Sequence, residues 1–135
     1  MSTVLLDTDI VSLLIKGNPD KVSFINPIIQ NLSGAISFMT VAELYQWAFF
    51  NKWGERRLLK LEENIFTYLV LPFDVNLCRL WATVRAERRA MGRPISPQDA
   101  WITATALHYD LRLITNNAKD FQGIEGLRLI DPQEP

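Results

Sequence analysis

The chain has 135 residues, 48% of them apolar, with 7 Phe, 4 Trp and 3 Tyr, enough for one domain with its own core over residues 1–135 and an argument against disorder. Its one cysteine, Cys78, excludes an internal disulfide and a cysteine-built zinc site, which suits a reducing cytoplasm. The net charge of −1 does not by itself mark a nucleic-acid binder, but residues 52–93 hold nine basic against five acidic side chains and the rest five against ten, so a basic middle lies between acidic ends.

The N-terminal run Met-Ser-Thr-Val-Leu-Leu-Asp has neither the basic start of a signal peptide nor the long apolar stretch of a membrane span, so no membrane association is expected. Thr3 to Leu6 predicts a strand, Asp7-Thr8-Asp9 a polar turn, and the spacing of Ile10, Val11, Leu13 and Leu14 a helix ending near Gly17-Asn18-Pro19. A second helix is predicted from Pro19 or Asp20 through Ile25, Ile28, Ile29 and Leu32, with Gly34 as its breaker. Ala35 to Met39 then predicts a buried strand, and Thr40-Val41-Ala42-Glu43 reads as a capping box opening a helix with Leu44, Trp47 and Ala48 inward.

A further helix is predicted over Glu55 to Tyr68, and Leu69-Val70-Leu71 is a short strand closed by Pro72. Asp74 caps a long helix that turns Leu77, Leu80, Trp81 and Val84 inward and sets Arg85, Arg88 and Arg89 on one stripe. Ser96 followed by Pro97 is a strong helix start, leading through Asp99 to His108. Leu111 to Ile114 predicts a fourth strand, Thr115-Asn116-Asn117 a polar turn, and Leu127 to Ile130 a fifth strand at an edge.

Strands alternating with helices over short connections predict an α/β fold with a parallel sheet covered on both faces. Ligands bind outside the carboxyl ends of such strands, where this order brings Asp7, Glu43 and the Asn116 to Asp120 turn to one rim. Each acid has a plain structural role available. Asp7 can N-cap the helix after it, Glu43 can be the third-position acid of its capping box, and Asp99 can serve the dipole of its helix. Clustered carboxylates without matching cations repel, however, and hard oxygen donors of this kind select Mg²⁺ or Mn²⁺. Such ions activate water for attack on a phosphodiester, so no histidine base is needed; His108 is read as a surface or packing residue.

These residues resemble the PIN-domain family. That family carries an acid after its first strand, a glutamate at the start of the helix after its second, an Asp-x-x-Ile-x-Ala-x-Ala helix and a closing Thr-x-Asn/Asp-x-x-Asp-Phe turn. Here stand Leu5-Leu6-Asp7-Thr8-Asp9, Thr40-Val41-Ala42-Glu43-Leu44, Pro97-Gln98-Asp99-Ala100-Trp101-Ile102-Thr103-Ala104 and Thr115-Asn116-Asn117-Ala118-Lys119-Asp120-Phe121, in order and across almost the whole chain. The size and pattern are similar to those of VapC toxins. The resemblance implies a three-layer α/β/α domain with a mainly parallel central sheet of four to five strands. It also implies a Mg²⁺- or Mn²⁺-dependent endoribonuclease, the toxin half of a toxin–antitoxin pair, dimeric and neutralised by an antitoxin segment in its groove.

Residue by residue, the resemblance makes Asp7, Glu43 and Asp99 metal ligands and Asp120 the fourth acid or its support. Asn117 stands where some members have aspartate, and Asp9 where asparagine or serine is common; both are expected to support the site, as Thr8 and Thr115 do by hydrogen-bonding carboxylates or by capping turns. Lys52, Arg56, Arg57, Arg85, Arg88, Arg89 and Arg93 are candidates for the RNA backbone, which such contacts position without reading sequence. Trp47, Trp53 and Trp101 could stack on bases or belong to the core, and Phe49, Phe50 and Trp53 could form a patch for a second subunit or the antitoxin. Two other readings remain at this point: a haloacid-dehalogenase-like phosphotransferase with Asp7 as nucleophile, suggested by the Asp7-Thr8-Asp9 opening, and a PIN-fold interaction module without activity.

Overall fold

The computed structural model describes residues 2–133. Five strands form its sheet: β1 (Ser2–Leu6), β2 (Leu32–Ser37), β3 (Leu69–Leu71), β4 (Leu113–Ile114) and β5 (Leu129–Ile130). They lie in the order β3-β2-β1-β4-β5 and every neighbouring pair is parallel, so the sheet expected to be mainly parallel is wholly so. The chain builds outward from β1 to β3, then crosses to the other side of β1 for β4 and β5. This reversal opens a crevice between the carboxyl ends of β1 and β4, the usual place for a ligand in such sheets.

The connections are helical. Between β1 and β2 lie α1 (Thr8–Lys16), α2 (Pro19–Val22) and α3 (Asn26–Ile29); between β2 and β3, α4 (Phe38–Phe50) and α5 (Glu55–Phe66); between β3 and β4, α6 (Val75–Ala90) and α7 (Pro97–His108). A turn of 3-10 helix, Ala118–Phe121, joins β4 to β5. Alternation along β1 divides the core. Val4 and Leu6 pack with Ile10 and Val11 of α1, Leu44 of α4 and Leu61 and Ile65 of α5, while Leu5 packs on the other face with Ile102 and Ala106 of α7 and with Phe121. Both faces are covered, which explains the unbroken apolar run of β1 and gives the three layers. α6 packs outside α7 through Val84, Ile95 and Ala100.

Three local expectations are corrected. The single helix over Asp20 to Leu32 is two one-turn helices, because Pro27 cannot donate to a preceding turn and starts α3 instead. Gly34 does not break the chain but lies inside β2, where a Cβ would stand 3.0 Å from the Tyr68 ring, so the glycine admits that ring against the strand. The strand placed at Ala35 to Met39 ends at Ser37. Ser37 is the N-cap of α4, its hydroxyl accepting the Thr40 N–H at 3.1 Å, and Thr40 and Glu43 lie inside the helix rather than at its start. Glu43 is thereby released from the capping role open to it in the sequence. Among the described residues no helix is long and apolar enough to cross a membrane.

Candidate functional site

Asp7 leaves the end of β1 in extended conformation and caps α1, its Oδ1 accepting the Thr8 N–H at 2.8 Å. Its other oxygen, Oδ2, accepts the hydroxyl of Thr115 at 2.7 Å from the end of β4. The capping role and the site role are therefore one geometry. Asp7 is only 5% exposed, and burial, then the charge of Asp9, raise its carboxyl to about 7. Its two hydrogen bonds oppose that rise without cancelling it.

Asp9, in the first turn of α1, accepts through Oδ2 from the Asn116 N–H at 3.2 Å and from Asn117 Nδ2 at 2.8 Å. Its Oδ1 is buried without a hydrogen-bond partner. Burial raises this carboxyl as well. Asn117 thus spends its amide on Asp9, and its backbone N–H donates to Thr115 Oγ1 at 3.0 Å, so the turn after β4 grips both acids of the β1–α1 junction.

Glu43 arrives from α4. Its Oε1 accepts the Thr8 hydroxyl at 2.9 Å, and because that proton is spent, the Thr40 hydroxyl 2.9 Å away donates to Thr8. Burial raises the Glu43 carboxyl, with Asp99 and Asp9 adding like charge. Asp99 is the third residue of α7, whose N-cap Ser96 accepts the Asp99 N–H at 3.1 Å. Burial comes first among the causes that raise it, and Asp120 adds repulsion. Asp120 itself is exposed on the 3-10 turn and borders, with Asp99, a hollow that Asp7, Asp9 and Glu43 do not line.

Asp7, Asp9, Glu43 and Asp99 therefore feel one another's charge, and among the described residues none has a basic partner at ion-pair distance. Nor do three of them already close into a ligand cage. Acidic oxygen donors without a basic partner, with the orphaned Asp9 Oδ1 as a further acceptor, nevertheless have the donor chemistry of a small hard cation, which binds through one or two carboxylates and keeps several waters.

A family model described as the PIN domain matches residues 4–127. The chain belongs to the PIN-domain family. Two curated PIN relatives span nearly its whole length: a VapC ribonuclease of Sinorhizobium fredii, 33% identical over 98% of this chain and 99% of its own, and a tRNA(fMet)-specific endonuclease VapC of Shigella flexneri, 32% identical over 97% and 98%. Among solved structures, VapBC-1 from nontypeable Haemophilus influenzae superposes with a TM-score of 0.82 at 30% identity over 98% of this chain and 99% of that one. Membership of the PIN family sets aside the haloacid-dehalogenase-like reading.

The basic candidates separate once folded. Lys52 lies in the turn between α4 and α5, Arg56 and Arg57 in the first turn of α5, and Arg57 lies 4.1 Å above the Trp53 ring. Arg85 donates to the Ile95 carbonyl at 2.8 Å, and Arg88, expected on a solvated stripe, is 6% exposed and donates to the Gln122 carbonyl at 2.8 Å. Of the seven, Arg88 and Arg93 line the hollow beside Asp99 and Asp120. Lys119 lines it too and was missed by sequence reasoning, although its place within the closing turn motif was the available signal. Trp47 and Trp53 pack on the core, and Trp101 lies between Phe38 and Trp81. Phe49 and Phe50 are exposed, as a protein contact would require.

Proposed function

We propose that this chain is a VapC-type endoribonuclease and that residues 1–135 form one nuclease domain. The observation that carries the reading is a cluster of four carboxylates, each raised first by burial and none with a cationic partner among the described residues, at the sheet's reversal point in a PIN-family chain. Asp7, Glu43 and Asp99 would hold Mg²⁺ or Mn²⁺, with Asp9 beside them and Asp120 at the outer lip. When bound, such an ion supplies charge that activates a water and offsets the developing charge on a phosphodiester. The chain's own part is preorganisation. Thr115 and the Thr8 N–H fix the plane of Asp7, the Thr40–Thr8 relay aims Glu43, and Asn116 and Asn117 hold Asp9 against them.

The VapC relatives favour RNA as substrate, and the toxin reading adds a cognate antitoxin, a homodimer and a cytoplasmic setting. Purified protein freed of any partner, incubated with total bacterial RNA in Mg²⁺ or Mn²⁺, should give discrete fragments that vanish in EDTA. Asp99→Asn, which keeps volume and removes charge, should lower cleavage at least about 100-fold with an unchanged circular dichroism spectrum. Full activity in that variant, or metal-independent cleavage, would defeat the reading. Failure of the wild type to bind Mn²⁺ in calorimetry would favour the inactive interaction module.

A further inference from the structure

Arg88, in the last turn of α6, and Arg93, just beyond that helix, converge on one glycine. Gly123 has a φ of +82°, a conformation in which a side chain is strained, and a Cβ built there would lie 3.0 Å from Arg93 Nη1 and 3.6 Å from Arg88 Nη1. Backbone and guanidinium groups approach so closely only because the side chain is absent. Arg88 is 6% exposed, yet its Nε has no hydrogen-bond partner, its anchoring bond being Nη1 to the Gln122 carbonyl. Among the described residues neither arginine pairs with a carboxylate. Two guanidinium groups, one of them buried, thus approach the same glycine with no carboxylate at ion-pair distance among the described residues, an arrangement whose cost an anion would offset.

The same two arginines and Lys119 line a hollow of about 510 Å³ together with Asp99 and Asp120. Three basic side chains thus share one hollow with an acid of the proposed metal site. A single-stranded backbone carries one phosphate per nucleotide, so a phosphodiester at the carboxylates brings its neighbouring phosphate towards these basic groups.

Building on the ribonuclease reading, we propose that Arg93 and Lys119, over the buried Arg88, form a binding site for the RNA phosphate adjoining the scissile one. Arginine suits this work because its planar fork can meet two phosphate oxygens at once. The site makes Arg88 and Arg93 different in kind from Arg79, Arg85 and Arg89 of α6. They set the register of the strand on the carboxylates, whereas an exposed cation such as Arg79 adds only to the general field.

Arg88 also braces the Gln122 carbonyl, so replacing it confuses folding with binding; Arg93 and Lys119, whose side chains make no hydrogen bond among the described residues, carry the test. The probe is a short, end-labelled single-stranded RNA, its affinity for the full chain followed by fluorescence anisotropy in EDTA across a salt series. Arg93→Gln and Lys119→Gln should each weaken binding about tenfold and flatten the log–log salt slope by about 0.7, the increment for one lost phosphate contact on a single strand. In turnover with Mn²⁺ both should raise KM and leave kcat close to wild type. Arg79→Gln, an equal loss of charge at an exposed position of α6, should move neither quantity.

Unchanged affinity and KM in Arg93→Gln, with wild-type cleavage intact, would overturn this site and leave the ribonuclease reading standing. Equal losses in Arg79→Gln and Arg93→Gln would overturn it in favour of unspecific charge. Retained RNA affinity together with lost affinity for polyglutamate would assign the arginines to a protein carboxylate, and competition by inorganic phosphate without any effect on RNA would assign them to a free ion. A wild type that neither binds nor cuts RNA would overturn both readings together.

Discussion

The Thr115 hydroxyl donates to Asp7 Oδ2 at 2.7 Å, joining residues 108 positions apart across the crevice where the sheet reverses. This bond satisfies the buried oxygen of Asp7 that the helix cap does not reach. Thr115 Oγ1 in turn receives the Asn117 N–H, so one hydroxyl links the strand-end acid to the turn that holds Asp9.

Thr115→Val keeps the shape and removes the hydroxyl. A buried carboxylate oxygen and a backbone N–H then lose their partner, at a cost of about 1–3 kcal/mol. Urea unfolding should show that loss as a lower midpoint with an unchanged slope, and RNA cleavage should fall with it. Thr115→Ser should restore both. Equal stability of the valine variant would mean that Asp7 is not held as described.

The four raised carboxylates give the metal-free protein an unusual pH dependence. The Asp7 carboxyl rises from 3.8 to about 7 on folding, through burial first and Asp9 second. A folded value above the unfolded one means that the stability from this group is fully present below about pH 4 and is lost as the pH climbs through about 7. Asp9, Glu43 and Asp99 are shifted in the same direction. Metal-free Asp7→Asn should therefore gain on the wild type between about pH 4 and 7 and then keep a constant lead, read from urea midpoints along a pH series. At neutral pH, Mg²⁺ at about 100 times its dissociation constant should stabilise the wild type by roughly 2.7 kcal/mol, and the variant far less. A lead that does not depend on pH would contradict the burial of Asp7's charge.

Gly34→Ala tests the close approach of α5's end to the sheet. Its Cβ would stand 3.0 Å from Tyr68 Cδ1 and 3.4 Å from Leu6 Cδ1, inside the layer that covers β1. Forcing the ring outward should cost about 1–3 kcal/mol in unfolding free energy, with the site's metal affinity little changed. A neutral substitution would show that Tyr68 yields freely.

Much of this was legible because it is local. Thr3 to Leu6 followed by Asp7, and Ser96-Pro97 followed by Asp99, each write an element, its cap and an acid within a few residues, and the structure keeps all of them. The failures share a different cause. Ser37 and Thr40 are both competent caps, and sheet pairing up to Ser37 decides between them. Gly34 is a breaker by composition and a strand residue because Tyr68 needs the space. Arg88 belongs to a helical stripe by spacing, yet the Gln122 carbonyl draws it inside from 34 residues away. Lys119 became a candidate only when the turn after β4 was seen to share a hollow with α6.

The crossing of the chain from β3 to β4 also bears on biosynthesis. β1 and β2 are synthesised before their common neighbourhood is complete, because β4, the second neighbour of β1, and the Thr115–Asn117 turn follow more than 70 residues after β2. Until then Asp7 lacks its threonine donor and Asp9 its asparagine, and Asp99 has no completed sheet to hold it against them. A chain synthesised only as far as α7 thus carries the acids without their arrangement. On the ribonuclease reading, a fragment that stops before Thr115 would hold the site's acids but not the assembled site.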